Sequence, residues 1–514
     1  MTIDFNVMAG GEAGQGVQSV GAILARTFAR GGLNVFADQD YESRVRGGHN
    51  FFRIRAKTDE VLALSPELDI LVALNKESIE LHTKELKEGG VVIYDEEQTK
   101  TRAQGDRFFN VPFNRLAMDT AKNKLMSNTI AAGAAAGLID YDFNLLAGIL
   151  EKEFARYGES TTEDNIAAAR AGYNYAKEHG KKFSLPKIRP PKRQNKKILL
   201  NGNEALCLGA LAAGCRFVAG YPMTPSSSIL EYMADKGRQY GAVMMHVEDE
   251  IAAMNMAVGA GYAGARAMVA TSGGGFALMV EALALAGMTE TPVVVVLGQR
   301  PGPATGLPTR TEQGELLFAM HAGHGEFPRA VLAPATAKEA FYSAVKAFNL
   351  AEKYQTPVII LTDHHLASSY ATMDAFDLSQ VEIERGALLT DEEANNQTDY
   401  KRHLVTASGI SPRALPGQGK ALVVTDSDEH DESGHMIEDA ATRNQQVEKR
   451  LRKLNGLKQE ITEPEFHHTK GAGITLIGWG STYGAIREAA DILKKEGHAV
   501  NTLHFLQLWP FPSQ

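Results

Sequence analysis

Short apolar runs of strand length alternate along this chain with glycine-bearing turns and amphipathic stretches of helical length. The first such helical stretch begins at Val17 and ends at Arg30. Because strands that alternate with helices form a parallel sheet covered on both faces, the pattern predicts a multi-domain α/β fold with parallel sheets. The predicted strands are Phe5–Met8, Leu33–Ala37, Ile70–Leu74, Phe217–Ala219, Ala267–Ala270, Val293–Leu297, Pro357–Leu361, Ile474–Ile477 and Ala499–Phe505.

Composition divides the 514 residues into segments of different character. Residues 1–183 and 198–377 are predicted α/β units. The proline-rich, basic residues 184–197 form a linker, because they contain too few apolar side chains to build a core. Residues 378–471 are a polar insertion or connector. Residues 472–514 begin a third α/β domain that we expect to be incomplete, because one βαβ unit cannot bury its sheet; either the chain is truncated or a partner completes the sheet.

Charge and cysteine content exclude several classes of protein. The net charge of −9 argues against a nucleic-acid partner, and no apolar run is long enough to span a membrane. The start of the chain has no signal-peptide pattern, which favours a cytoplasmic location. Cys207 and Cys215 are the only cysteines, and they cannot hold an iron–sulfur cluster or a structural zinc by themselves. No metal site is therefore predicted in this chain.

A glycine-rich turn follows the first predicted strand. Gly11, Gly14 and Gly16 lie where backbone N–H groups at the start of a helix could bind a phosphate. Their order, G-x-x-G-x-G, matches neither the G-x-G-x-x-G of dinucleotide-binding folds nor a phosphate loop that ends in Lys-Ser/Thr. From the residues alone, phosphate binding and a tight turn that lets helix and sheet pack closely both stay open.

A second candidate for anion binding lies within the stretch Tyr41–Asn50. Arg46, Gly47 and Gly48 form a basic Gly-Gly turn that could receive a phosphate or a carboxylate. A solvated surface loop is the alternative interpretation.

The segment Tyr221–Ser227 is a rigid turn that opens a helix. Its prolines fix the backbone on both sides of Thr224, and Pro225 suits the first helical position, which predicts Thr224 as the N-cap. A carboxylate bound there would meet hydroxyls, N–H donors and the positive end of the helix. Tyr221, Thr224 and Ser226 are therefore candidates for substrate binding, with simple helix capping as the alternative.

An acidic pair, Glu248 and Glu250, precedes a helix of small and apolar residues predicted over Ile251–Ala265. A carboxylate at the start of such a helix is costly unless something uses it. An aminopyrimidine ring could use it, because its ring nitrogen shares a proton with the acid. The next strand ends at a further turn, in which Ser272 and Gly273 could bind a phosphate or allow close packing.

The loop Arg300–Gly314 directly follows a buried strand. Loops at the carboxyl ends of strands carry active sites in α/β folds. Arg300 and Arg310 are candidates to hold a carboxylate, and Thr309 lies beside the second of them.

Together these segments resemble the alpha subunit of the 2-oxoacid:ferredoxin oxidoreductases, with the gamma domain fused at its N-terminus. The most specific parts of the resemblance are Tyr221–Ser227, Val247–Thr271, Gly302–Gly314, and Gly10–Gly16 with Arg46–Gly48. By length and layout the chain is most similar to the members that use 2-oxoglutarate. The resemblance implies a gamma domain associated with coenzyme A, then a pyrimidine-type thiamine diphosphate-binding domain, and last the start of a transketolase C-terminal-like domain.

The resemblance also implies roles and partners. Glu250 would activate thiamine diphosphate, with Glu248 in reserve, while Thr224 with Arg310 or Arg300 would hold the substrate carboxylate. The magnesium that anchors the diphosphate and a [4Fe–4S] cluster would belong to a separate beta subunit, because no G-D-G segment is present here. Coenzyme A is then a co-substrate, ferredoxin the electron carrier, and a dimer of heterodimers the expected assembly. The competing hypotheses are an NAD-dependent oxidoreductase that uses the N-terminal sheet and a non-catalytic scaffold subunit of the same fold.

Overall fold

The computed structural model describes residues 3–42, 47–191 and 197–513. The strands are β1 (Asp4–Ala13), β2 (Asn34–Asp40), β3 (Gly47–Lys57), β4 (Leu68–Ala73), β5 (Leu86–Tyr94), β6 (Phe108–Asn110), β7 (Ile198–Asn201), β8 (Phe217–Gly220), β9 (Val243–His246), β10 (Ala267–Thr271), β11 (Val293–Gln299), β12 (Ala330–Leu332), β13 (Pro357–Asp363), β14 (Tyr370–Met373), β15 (Glu465–His467), β16 (Ile474–Trp479), β17 (Val500–Phe505) and β18 (Gln507–Trp509). The helices are α1 (Val17–Arg30), α2 (Lys76–His82), α3 (Glu96–Thr99), α4 (Phe113–Ala121), α5 (Ser127–Leu138), α6 (Phe143–Phe154), α7 (Glu159–His179), α8 (Gly202–Ala212), α9 (Ser227–Lys236), α10 (Glu250–Tyr262), α11 (Gly273–Met288), α12 (Leu316–His321), α13 (Ala337–Tyr354), α14 (His364–Ser368), α15 (Asp391–Asn395), α16 (Ala440–Leu457) and α17 (Tyr483–Lys495).

The residues group into two compact units. Unit 1 is Met1–Leu200 together with Ser369–Ala375, and unit 2 is Asn201–Ser368 together with Phe376–Gln514. The chain therefore enters unit 2, returns to unit 1 for one strand, and enters unit 2 again. The finer division into the predicted segments stays a prediction.

Unit 1 is built on one sheet with the strand order β6-β5-β4-β1-β3-β2-β14-β7. The strands β6, β5, β4 and β1 are parallel, as the alternating pattern predicts. The pairs β1–β3, β3–β2 and β2–β14 are antiparallel. A surface loop was one expectation for the stretch Gly47–Asn50. In the structure these residues begin β3, and Asn50 pairs with Gly11 of β1.

The helices α5 and α7 of unit 1 pack at very short range. A Cβ added to Gly133 would lie 2.1 Å from the carbonyl oxygen of Ala169, and one added to Gly172 would lie 2.1 Å from that of Ile130. No side chain larger than hydrogen fits at either position, so the glycines set the distance between the two helices.

Unit 2 is built on a seven-stranded sheet with the order β18-β12-β13-β11-β10-β8-β9. All neighbours are parallel except β18, which pairs antiparallel with β12 at the edge. The central strands β10, β11 and β13 are buried along their whole length. Strands buried on both faces have continuous apolar sequences, which is why these strands were predictable to within about two residues.

The remainder of unit 2 contains the polar insertion and a smaller sheet. The insertion forms the helices α15 and α16 and, near its end, the strand β15. The small sheet has the order β15-β17-β16, with β16 parallel and β15 antiparallel to β17. The predicted βα start of a third domain corresponds to β16, α17 and β17.

None of the helices in the described part of the chain is both long enough and apolar enough to cross a membrane.

Candidate active site

The candidate residues of unit 2 lie at the carboxyl edge of its parallel sheet. Strand β8 has β9 on one side and β10 on the other, so the chain changes direction across the sheet between β8 and β10. In open α/β sheets such a switch point is where ligands bind, outside the carboxyl ends of the strands. The segments that follow β8, β9, β10 and β11 all reach this edge.

The turn after β8 differs in detail from the prediction. Helix α9 begins at Ser227 with Ser226 as its N-cap, and that side chain makes no capping hydrogen bond. Thr224 is therefore not the N-cap, and Pro225 is not the first helical residue. The prediction of Thr224 as the N-cap was wrong, because a contact with a distant segment holds this turn. The buried Ser226 hydroxyl donates to the carbonyl oxygen of Thr271 at 2.6 Å, and this hydrogen bond joins the turn to the end of β10.

Two other residues of the turn face different surroundings. The carbonyl oxygen of Thr224 accepts a hydrogen bond of 2.7 Å from Arg300 Nη1. Tyr221 is exposed, and its ring lies 6.4 Å from the ring of His246. The structure thus brings Thr224 and Arg300 together and leaves Tyr221 at the outer rim.

Glu250 is the first residue of α10 and is 4% exposed. Its Oε1 atom is buried and has no hydrogen-bond partner among the residues that the structure describes. Asp249 caps the helix by accepting from the backbone N–H of Ala252 at 2.7 Å, and Glu248 is exposed. Among Glu248, Asp249 and Glu250, Glu250 is the one with a buried carboxyl oxygen that lacks a partner in the described chain.

The first turn of α11 lies against two carboxyl groups. A Cβ added to Gly275 would lie 2.7 Å from Glu250 Oε1, and one added to Gly273 would lie 1.5 Å from Glu315 Oε1. Ser272 is the N-cap of α11 without a capping hydrogen bond, and its buried hydroxyl has no partner within the described residues. The glycines leave the space that the carboxyl groups occupy.

The two arginines of the loop after β11 differ in burial and in hydrogen-bond partners. Arg300 is 8% exposed and reaches the turn after β8 through Thr224. Burial lowers the pKa of the Arg300 guanidinium, and the charge of Glu315 opposes that shift. Arg310 is half-buried and donates to the carbonyl oxygen of its neighbour Thr309, itself buried, at 3.0 Å.

Sequence reasoning missed Glu315. Burial raises the pKa of its carboxyl group to about 7, although Arg300 opposes the shift. Its position directly before a short helix gives no local signal, because its half-buried setting comes from contact with Gly273 on another element.

A second missed group links the loop after β11 to the small sheet. Asp363, at the end of β13 and 1% exposed, accepts from Ser481 Oγ at 2.6 Å and from Gln313 Nε2 at 3.3 Å. Gln313 Nε2 also donates to the carbonyl oxygen of Trp479 at 3.0 Å. These residues lie far apart in the sequence, so no motif could have indicated that they meet.

In unit 1 the predicted glycines occupy distinct settings. Gly11 lies inside β1, whereas Gly14 and Gly16 have positive φ and precede α1. A Cβ added to Gly16 would lie 1.9 Å from Asn128 Nδ2, so this glycine is required for packing. Among the described residues, no atom lies within 4 Å of a Cβ added to Gly14, so there is open space beside this glycine.

The second anion candidate of unit 1 is only partly described. Gly47 and Gly48 begin β3 with φ near 75°. A Cβ added to Gly48 would lie 2.5 Å from Glu42 Oε2, which places a carboxylate beside this turn. Arg46 lies outside the described residues.

Two protein-family descriptions match the chain. The family described as pyruvate flavodoxin/ferredoxin oxidoreductase, thiamine diphosphate-binding, matches residues 208–449. The family described as pyruvate ferredoxin/flavodoxin oxidoreductase matches residues 6–175. The first match contains the whole carboxyl-edge site of unit 2, and the second contains the glycine turn of unit 1.

Named relatives extend over nearly the whole chain. The 2-oxoacid:ferredoxin oxidoreductase 2, subunit alpha, of Aeropyrum pernix is 32% identical, over 100% of this chain and 88% of that protein. The 2-oxoglutarate oxidoreductase subunit KorA of Mycobacterium tuberculosis is 29% identical, over 98% and 82%. A structure of 2-oxoglutarate:ferredoxin oxidoreductase from Magnetococcus marinus, with 2-oxoglutarate, coenzyme A and succinyl-CoA bound, is 33% identical with a TM-score of 0.88, over 99% of this chain and 89% of that chain.

Proposed function

The chain belongs to the family of 2-oxoacid:ferredoxin oxidoreductase alpha subunits, and from that premise we propose that it is the alpha subunit, with a fused gamma domain, of a 2-oxoglutarate-using enzyme of this family. Together with its partner it interconverts a 2-oxoacid and coenzyme A with an acyl-CoA, carbon dioxide and reduced ferredoxin. The substrate choice is supported by the named relatives that act on 2-oxoglutarate.

The observation that carries this proposal is the unpaired carboxyl oxygen of Glu250. A buried carboxyl oxygen without a partner is costly, of the order of 1–3 kcal/mol, unless a ligand supplies the missing hydrogen bond. An aminopyrimidine ring fits this requirement, because its ring nitrogen can share a proton with the acid. Thiamine diphosphate, when bound, supplies a carbon nucleophile and an electron sink for decarboxylation. Glu250 would hold the pyrimidine and the proton at its Oε1 atom.

The substrate carboxylate is assigned to Thr224 and Arg300. Their hydrogen bond places the guanidinium at the turn after β8, beside the switch point of the sheet. Guanidinium groups bind carboxylates with two parallel hydrogen bonds, which fixes the orientation of the acid as well as its position. Arg310 and Thr309 are held to each other within their loop, so they form the outer part of the same site.

The remaining components are assigned to a partner beta subunit and to unit 1. The partner would supply the magnesium-bound diphosphate site and the [4Fe–4S] cluster, and ferredoxin would accept the electrons, in a dimer of heterodimers. Ile251 and Met256 on α10 and Leu278 on α11 are exposed apolar side chains, and such side chains favour a protein partner at this face. The open space beside Gly14 supports coenzyme A binding by unit 1.

The test is reduction of a viologen dye that depends on coenzyme A, measured on this chain purified with its beta subunit across several 2-oxoacids. Glu250→Gln should lower turnover by about 10²–10⁴-fold, because proton transfer at that carboxyl group is lost. Glu231→Gln, at an exposed position on α9, is the matched control and should retain activity.

Two results would change the proposal. Substantial turnover by Glu250→Gln, with loss of turnover in Glu248→Gln, would move the role to Glu248. A wild-type complex that assembles but turns over no 2-oxoacid would favour the scaffold hypothesis.

A further inference from the structure

The sheet of unit 1 has a switch point of its own. Strand β1 continues through α1 to β2 on one side of the sheet, whereas β4 continues through α2 to β5 on the other side. The strands β1 and β4 are parallel neighbours, so the direction of the chain across the sheet changes between them. Ligands of α/β sheets bind outside the carboxyl ends of the strands at such a point. Gly14 and Gly16 follow β1 at this edge.

A chain of three side chains reaches this edge of the sheet. The Nδ1 atom of His82, the last residue of α2, lies 2.7 Å from Glu85 Oε1, and its Nε2 atom lies 2.7 Å from His49 Nε2. His49 lies in β3 opposite Glu12, near the end of β1, and its Cε1 atom is 3.6 Å from the position of a Cβ on Gly10. The other ring nitrogen of His49, Nδ1, is buried and has no hydrogen-bond partner among the described residues.

The surroundings keep both histidines neutral. Glu85 forms an ion pair with Arg53, so its charge is balanced without a charged His82. His82 is 8% exposed, and burial disfavours the charged imidazole. Burial lowers the pKa of His49, and the neighbouring His82 lowers it further, although three nearby carboxyl groups oppose the shift.

The hydrogen bonds then decide where the protons are. An ionised Glu85 can only accept, so the proton of neutral His82 is on Nδ1 and its Nε2 atom is an acceptor. His49 must therefore donate from Nε2, which leaves its Nδ1 atom with a lone pair and no proton. Buried acceptors are rarely left unpaired in native structures. This acceptor is complementary to a ligand group that donates a hydrogen bond, and not to an anion.

We propose that His49 Nδ1 accepts a hydrogen bond from coenzyme A. The inference deepens the proposed function, because it requires coenzyme A at unit 1. Both halves of coenzyme A carry donors: the nucleotide half has an amino group and a ribose hydroxyl, and the pantetheine half has amide N–H groups, a hydroxyl and a thiol. The phosphate groups are left to the glycine turn, whose backbone N–H groups suit anions.

Calorimetry of binding to the complex with the beta subunit, without 2-oxoacid, tests the contact. The probes are coenzyme A, adenosine 3′,5′-bisphosphate and pantetheine. An asparagine amide occupies about the place of the Nδ1 atom of histidine, whereas a glutamine amide reaches that of Nε2. His49→Gln should weaken coenzyme A binding by about 3- to 10-fold, because it loses the acceptor and keeps a polar contact to His82. His49→Asn should bind coenzyme A more tightly than His49→Gln. The half of coenzyme A whose binding His49→Gln weakens carries the donor.

The matched control is His179→Gln, a change of an exposed histidine of α7 in the same unit, which should leave binding unchanged. Thermal midpoints of the complexes check that unit 1 is folded. Wild-type affinity for coenzyme A in His49→Gln overturns the inference. Weaker binding by His49→Asn than by His49→Gln also overturns it, because the contact to His82 would then be what matters.

A second measurement needs no variant. A crystal structure of the wild-type complex with coenzyme A should place an amino, hydroxyl, amide or thiol group within hydrogen-bond distance of His49 Nδ1, about 3.2 Å for nitrogen or oxygen. A phosphate oxygen at that atom, or no coenzyme A atom there, overturns the inference and leaves the proposed function intact. A complex that shows the contact but turns over no 2-oxoacid overturns the proposed function alone.

Discussion

At the scale of single residues, the carboxyl edge of unit 2 brings together three of the buried side-chain oxygens that lack a partner in the described chain. Glu250 Oε1, Ser272 Oγ and Glu315 Oε2 all lie around the start of α11 and lack hydrogen bonds within the described chain. Native structures leave few such groups, and those that persist concentrate where a ligand completes them. The cluster therefore identifies the position of the site more sharply than any one sequence motif.

The two loop arginines are separable by mutation. Arg300→Ala should raise the apparent KM for the 2-oxoacid by about 10- to 100-fold, the equivalent of one charged hydrogen-bonded contact of about 1.5–3 kcal/mol. Arg310→Ala should raise it less, because that side chain is held by the carbonyl of Thr309. Steady-state kinetics on the assembled complex gives both values, with thermal midpoints as a check on folding. The reverse order of effects would assign the carboxylate to Arg310.

At the scale of elements, the small C-terminal sheet helps to hold the loop that follows β11. The turn after β16 presents Trp479 and Ser481 to Gln313 and Asp363, and an added Cβ at Gly480 would lie 2.9 Å from Gln313 Nε2. The loop is otherwise exposed over much of its length. Its geometry therefore depends on an element 166 residues further along the chain.

Ser481→Ala should loosen that loop. The change removes a donor from the buried carboxylate of Asp363, a contact expected to contribute about 1.5–3 kcal/mol, and KM for the 2-oxoacid should rise by about tenfold. Thr475→Ala is the matched control, because the Thr475 hydroxyl accepts from Asn501 within the small sheet and contacts neither Gln313 nor Asp363. An unchanged KM for Ser481→Ala would show that the loop keeps its geometry without this contact.

At the scale of the whole molecule, the polar insertion of unit 2 is attached by buried charges. Glu290, at the turn between α11 and β11, contacts Lys449 and Lys453 of α16 and the ring of His403, and all four side chains are inaccessible to solvent or nearly so. Burial opposes the charge of Glu290, but Lys449 and Lys453 outweigh it and hold its pKa well below the usual range. Burial lowers the pKa of Lys449 to about 7.

Glu290→Gln should destabilise unit 2 by about 3–5 kcal/mol, because it leaves buried lysines without a counter-charge. Urea denaturation measures the loss. Lys401→Gln breaks a partly exposed pair with Glu432 in the same insertion and should cost far less, because solvent screens the two charges. Since the pKa of Glu290 is lowered, its contribution is present above the pKa of the unfolded chain and is lost as pH falls below it. Equal effects of the two changes would contradict this attachment.

From the amino-acid sequence alone we could predict the α/β class and the positions of nine strands: β1, β2, β4, β8, β10, β11, β13, β16 and β17. Buried parallel strands have continuous apolar sequences, and α1 has the predicted bounds Val17–Arg30. The same analysis also identified Tyr221–Ser227, Glu250 and Arg300 as candidate site residues, and these reach the sheet edge. They could be identified because proline, glycine and charged residues at strand ends are local signals.

How those segments meet depends on contacts that form only in the folded chain. Antiparallel β3, the helix start at Ser227, the buried side of the charged helix α16, and the neighbours of Glu315 and Asp363 all depend on contacts between distant parts of the chain. Local propensity and periodicity carry no information about such contacts, since burial and hydrogen-bond partners are properties of the packed fold. For that reason Glu250 could be proposed from its position in the sequence, whereas its unpaired oxygen could be seen only in three dimensions.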